Sequence, residues 1–152
     1  AGVRAMMVTL APTTGSGQFT FDYVNQDGDT VTSPTQFCNT AVNSIATIST
    51  CQQATAAGRG PFLPLRQGDT GIQSIVSLTM TVANGGLGAL VLVKPLADFT
   101  IREISTMSEI SFLNDRMGPP RIYDGAYLNM IVNCAASIAA GQLTGYAKFV
   151  WN

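Results

Sequence analysis

The sequence predicts an all-β fold, and three observations carry that prediction. Clusters of Gly, Pro, Asn and Asp recur at short intervals, the segments between them are too short for typical helices, and those segments are rich in β-branched and aromatic residues. A chain of 152 residues can bury one sizeable core, and nothing in its composition marks a second, so a single β-sandwich domain is expected over residues 1–152.

The elements follow in order. Met6 to Leu10 is the first strand candidate, closed by Pro12 and the small-residue loop Thr13 to Gly17. Gln18 to Val24 alternates, with Phe19, Phe21 and Tyr23 on one face and polar residues on much of the other, as the two-residue period of a half-buried strand requires. Asp27-Gly28 turns the chain back, and Thr30 to Thr32 can pair with that strand as a hairpin. From Thr35 to Ala57 the small polar residues admit either a short helix or strands around Ala46 to Thr50. Gly58 to Pro64 reads as an extended loop, because Pro61 and Pro64 each exclude a helix interior and bias the preceding residue toward extended geometry.

Gly71 to Val93 gives the clearest signal. Ile72, Ser74, Val76, Leu78, Met80 and Val82 share one face of a strand, although Ser74 and Ile75 break the alternation. Asn84-Gly85-Gly86 then predicts a hairpin turn into the apolar strand Leu87 to Val93. Phe99 to Ile104 is another strand candidate, and Ile104 to Leu113 fits strand or helix equally, ending before Pro119-Pro120. Tyr127 to Cys134, a small-residue turn over Ala135 to Gly141, and the alternating Thr144 to Trp151 complete the chain. Eight or so short antiparallel strands with at most one or two short helices fit a jelly-roll-like β-sandwich.

Charge content narrows the function. Only 11% of residues are charged, against about 25% in ordinary soluble proteins, while the hydrophobic fraction of 46% is usual. A surface built of Ser, Thr, Asn, Gln, Gly and Ala offers little resistance to self-association and suits burial against other subunits. The net charge is -1, and the eight basic residues are scattered from Arg4 to Lys148, so no electrostatic footprint for nucleic acid exists. The apolar run Leu87 to Val93 is far shorter than the roughly 20 residues a membrane helix needs, so no membrane partner is expected. Ala1-Gly2-Val3-Arg4 lacks the pattern of a signal peptide and suits removal of an initiator Met.

Cys38, Cys51 and Cys134 form neither an even framework nor a CxxC pair and read as buried or partly buried thiols. The rival reading, a disulfide between Cys38 and Cys51 with Cys134 left over, needs an oxidising compartment. With no Asn-x-Ser/Thr site, the balance favours assembly in a reducing cytoplasm.

No histidine is present, which removes Ser-His-Asp and Cys-His nucleophilic sites, His-based zinc sites and the commonest general base near neutral pH. A carboxylate pair stays chemically open, but the nine acids are dispersed from Asp22 to Asp124, and the chain does not read as an enzyme. Asn25 to Thr30 places oxygen side chains at alternate positions like a calcium loop. Its Gly28 falls between the second and third ligands, however, and Gln36 stands where a bidentate Glu belongs, so a plain hairpin turn is the stronger reading. Gly58-Arg59-Gly60 and Gly85-Gly86 lack the Lys-Ser/Thr of a phosphate loop. No cofactor is expected. One segment could face a partner: Arg116, Met117, Pro119, Pro120, Arg121 and Tyr123 combine a rigid proline pair with residue types favoured at interfaces, against the bland reading of an ordinary surface loop.

Leu65-Arg66-Gln67-Gly68-Asp69-Thr70-Gly71-Ile72-Gln73-Ser74-Ile75, the later Ala89-Leu90-Val91-Leu92-Val93-Lys94-Pro95-Leu96, and loosely the closing Gly145 to Trp151 resemble tailed-bacteriophage virion structural proteins. The resemblance covers a minority of the chain and rests on texture. It implies a capsid decoration or cement subunit: a homotrimer or homodimer on the capsid surface, bound to the major capsid protein, assembled in the host cytoplasm and without catalytic residues. A head-fibre base, tail or host-attachment component is the alternative, and a carbohydrate-binding module, which would need exposed aromatics, the second.

Overall fold

The computed structural model describes residues 2–15, 17–38, 47–49, 51–53, 56–83, 85–98, 111 and 120–131. Nine strands run through them: β1 (Arg4–Ala11), β2 (Gly17–Asn25), β3 (Thr30–Thr32), β4 (Gln36–Cys38), β5 (Thr47–Ser49), β6 (Cys51–Gln53), β7 (Ala56–Gly60), β8 (Ile72–Val82) and β9 (Leu87–Val93). One sheet has the order β5-β1-β9; the other has β3-β2-β4-β6-β7, with β8 also paired to β2. Every pairing is antiparallel, and no helix occurs among the described residues, so the fold is all-β. The candidate elements at Phe99–Ile104, Ile104–Leu113, Ala135–Gly141 and Thr144–Trp151 fall outside the described residues, apart from Ser111.

The frame is a long two-stranded ribbon that changes sheet halfway along. β1 pairs with β9 from Arg4↔Val93 to Ala11↔Leu87, and β2 pairs with β8 from Gln18↔Val82 to Asn25↔Ile72. Both links between sheets therefore meet at one corner, where Gly85 and Gly86 lie against Pro12, Thr13 and Thr14. This overturns the expected hairpin of Gly71 to Val93: β8 and β9 lie in different sheets, and Gly85-Gly86 belongs to the crossing between them. The glycines are needed because two backbones touch there. A Cβ on Gly86 would lie 2.8 Å from Pro12 O and 2.9 Å from Thr13 Cα, and one on Gly85, whose φ is +69°, would collide with Thr14 Oγ1.

The core takes side chains from both sheets: Ala5 and Met7 from β1, Phe19, Phe21 and Tyr23 from β2, Cys38 from β4, Ile72 from β8, and Leu63 from the loop before β8. The alternation predicted for β2 is the one observed, with Phe19, Phe21, Tyr23 and Asn25 buried and the residues between them half-buried. The broken alternation in β8 has a physical cause. Its register against β2 slips three times, leaving Gln73, Val76 and Thr81 without an opposite residue, and each extra residue inverts the alternation. Ile72, Ile75, Leu78 and Met80 thus stand opposite Asn25, Tyr23, Phe21 and Phe19, whereas Ser74 stands opposite half-buried Val24, not on the face of Ile72 as predicted. Leu10 is the corresponding extra residue of β1, and it is exposed.

Two other expectations change. Gly58 to Gly60 closes β7 and only Pro61 to Pro64 forms the loop, which is anchored by Leu63 N–H donating to Ala5 O at 2.8 Å. Tyr127 to Ile131, the described part of an expected strand, is not strand. Thr35 to Ala57 resolves toward strands, with β4, β5, β6 and the first residues of β7 falling in it.

Polar stitches fix the six-stranded sheet. Asp22 accepts from Thr32 Oγ1 at 2.6 Å and Ser77 Oγ at 2.7 Å, joining β3, β2 and β8 on the outer face. The Thr32 bond, then the Ser77 bond, holds the Asp22 carboxyl below its ordinary value. At the step from β3 to β4, buried Ser33 exchanges bonds with Phe21: its N–H donates to Phe21 O at 2.9 Å, and its Oγ accepts from Phe21 N–H at 3.0 Å.

Candidate functional site

Three features could serve a function, and the first is a polar knot at the end of β2. Buried Tyr23 donates its hydroxyl to the Asp69 carboxylate and accepts from Arg66 N–H at 3.0 Å. Asn25 Nδ2 donates to the second Asp69 oxygen at 3.2 Å, and Asp69 N–H closes the turn onto Arg66 O at 3.0 Å, with Gly68 at φ +97°. Burial first, and then the hydrogen bond to Asp69, push the Tyr23 phenol up to about 12. A phenol that ionises so late is no base near neutral pH, and the knot ties the Arg66–Asp69 turn to the sheet.

The Asn25–Thr30 segment is resolved by the same geometry. Asn25 Oδ1 accepts from Asp27 N–H at 3.0 Å and Asp29 N–H at 2.9 Å, while Asn25 N–H donates to Asp29 O. Both lone pairs of that oxygen are engaged in closing the turn, so it is not available as a metal ligand. Among the described residues no group of three or more His, Cys, Asp and Glu is placed to hold a metal ion. The hairpin reading accounts for the segment.

The second feature is the described part of the predicted contact segment. Pro120 is half-buried, Arg121 and Tyr123 are exposed, and Arg116, Met117 and Pro119 fall outside the described residues. Tyr123 is flanked by two cations, with Arg121 Cζ 5.2 Å and Lys94 Nζ 5.4 Å from its ring centroid, which ties the segment to the end of β9. Asp124-Gly125 turns the chain, with Ala126 N–H donating to Tyr123 O at 3.1 Å. Tyr127 beyond the turn is fully exposed, and Leu128 and Met130 are about half exposed. Sequence reasoning offered Tyr127 as a candidate exposed aromatic but did not single out Leu128 and Met130.

The third feature is β8 itself. Val76, Leu78, Met80 and Val82 are each exposed by 41% or more, and Leu87 and Leu92 of β9 are similarly open. β8 uses one edge against β2, and its other edge has no ladder partner among the described residues. From Thr70 to Val93 no residue carries a charge, so β8 lacks the Lys, Glu or Pro that usually blunts a free edge.

No protein-family model, no curated protein and no solved structure matches this chain. No helix of the described residues is long and apolar enough to cross a membrane.

Proposed function

We propose that this chain is a structural virion subunit that decorates and stabilises a bacteriophage capsid by bridging copies of the major capsid protein, itself forming a homotrimer or homodimer on the capsid surface. The observation that supports the reading most is the set of exposed apolar side chains on β8, with Leu78 and Met80 on the face of Phe21 and Phe19, Val82 on the opposite face and Val76 at a bulge, together with those from Ile122 to Met130. Single exposed apolar side chains are ordinary, whereas grouped ones mark contact surfaces. Covering a half-exposed Leu or Met recovers about 1 kcal/mol, so Leu78 and Met80, which share a face, supply only about 2 kcal/mol per subunit. Such contacts hold a subunit when a symmetric shell repeats them. A ligand that binds only the intact lattice then opposes its rupture by mass action. Catalysis, nucleic acid and a cofactor play no part in this reading.

A count of copies in purified particles by quantified gel tests it. Hundreds per particle, with capsids lacking the chain bursting at lower temperature, are expected. Six or twelve copies point to a head-fibre base, tail or host-attachment component, and equal resistance with and without the chain refutes the stabilising role. Exposed Tyr123 and Tyr127 favour one further reading, a carbohydrate-binding surface, which binding on a glycan array would support.

A further inference from the structure

The backbone register brings two of the three cysteines into one row of the six-stranded sheet. β4 and β6 pair with Cys38 directly opposite Cys51. Directly opposed residues of an antiparallel pair have Cα atoms about 4.5–5.5 Å apart. That separation lies within the roughly 4.4–6.8 Å that a disulfide spans. The rest of the row is glycine: Cys38 also stands opposite Gly17 of β2, and Cys51 opposite Gly60 of β7. Neither outer neighbour has a side chain to compete for the space beside the pair, and a Cβ on Gly60 would meet nothing within 4 Å.

We propose that Cys38 and Cys51 are a disulfide-forming pair, which closes when the folded chain meets a small-molecule disulfide such as oxidised glutathione, with Cys134 taking no part. One cysteine thiolate attacks the oxidant's sulfur–sulfur bond, releasing one glutathione thiolate and leaving a mixed disulfide on the protein. The second cysteine thiolate then attacks the protein-side sulfur, forming the intrachain bond and releasing the second glutathione. Two electrons pass to the oxidant, and the two cysteine protons end on two reduced glutathiones. Cys38 is 5% exposed, so closure is slow at low temperature and speeds up under conditions that open the sheet locally.

The test uses the full chain, incubated with reduced or oxidised glutathione, denatured, alkylated with iodoacetamide and cut with trypsin. No Lys or Arg lies between Arg4 and Arg59, so one peptide, Ala5 to Arg59, carries both cysteines, while Ile122 to Lys148 carries Cys134. After oxidation the first peptide should carry no alkyl group and be two hydrogens lighter than its dithiol form, and the second should be alkylated once. The unaltered protein should melt roughly 5–10 °C higher oxidised than reduced, since the bond closes a short loop. Cys51→Ser should abolish both effects and Cys134→Ser neither. Full alkylation of Ala5 to Arg59 after oxidation, glutathione retained there, or its linkage to Ile122–Lys148 would each overturn the proposal. None of these outcomes depends on whether the chain binds a capsid.

Discussion

Adding one methyl group at Gly86 lowers stability, although alanine is ordinarily the less costly residue in an ordered chain. The new Cβ would sit 2.8 Å from Pro12 O and 2.9 Å from Thr13 Cα, both backbone atoms of the opposite link. Carbon atoms prefer separations of about 3.5–4.0 Å, so the two links must part by about 0.5–1 Å. Overpacking of that size costs about 1–3 kcal/mol, a large share of the roughly 5–15 kcal/mol that holds a domain of this size together. Gly15, on the opposing link of the same corner, provides the control. It has an ordinary φ, and a Cβ there meets nothing within 4 Å. Gly15→Ala is therefore neutral or stabilising by about 0.4–1 kcal/mol through loss of unfolded-state entropy. Urea unfolding followed by circular dichroism measures both; at equal slope, the Gly86→Ala midpoint falls and the Gly15→Ala midpoint holds or rises. A Gly86→Ala midpoint at or above that of the unaltered chain would refute the contact between the links.

Tyr23→Phe removes the donor to Asp69 and the acceptor of Arg66 N–H, and should cost about 1.5–3 kcal/mol near neutral pH, read as a lower urea midpoint. The phenol's folded value of about 12 lies above its ordinary 10.0, so its contribution is whole below pH 10 and is lost as pH rises toward 12. The gap between the two proteins should accordingly narrow between pH 10 and 12. Asp22 acts in the opposite sense: its lowered value contributes stability above 3.8 that disappears as pH falls through the folded value, so Asp22→Asn should show a shallower acid limb in a pH titration of melting temperature. Tyr127→Ser should leave the melting temperature within about 1 °C, because the side chain is fully exposed, while weakening any association seen by light scattering.

Where local sequence and tertiary pairing agree, the fold was legible. Phe19, Phe21 and Tyr23 alternate because β2 has one face on the core, and Asp27-Gly28 turns where a hairpin needs a positive φ, +91° at Gly28. Asn84-Gly85-Gly86 misled because glycine serves two purposes with one signature, a tight turn or a close approach of backbones, and only the position of β1 and β2 distinguishes them. The bulges of β8 were visible as a fault in periodicity, but assigning the fault required the register against β2. Of the contact segment, Arg121 and Tyr123 could be singled out by residue type. Lys94 as a second cation on Tyr123 could not, since it comes from a distant part of the chain.

The ribbon also constrains how the polypeptide emerges from a ribosome. β1 is made before the other described strands, yet its longest ladder is with β9, which ends at Val93, so β1 has no lasting place until most of the described sheet has been synthesised. Pairings so distant along the chain form slowly. Meanwhile Ala5 to Ala11, uncharged and mostly apolar, resembles the stretches that drive nascent chains into aggregates. Yield from an expression host should therefore depend more on slow synthesis at low temperature, or on a chaperone that shields Ala5 to Ala11, than on the stability of the finished sheets.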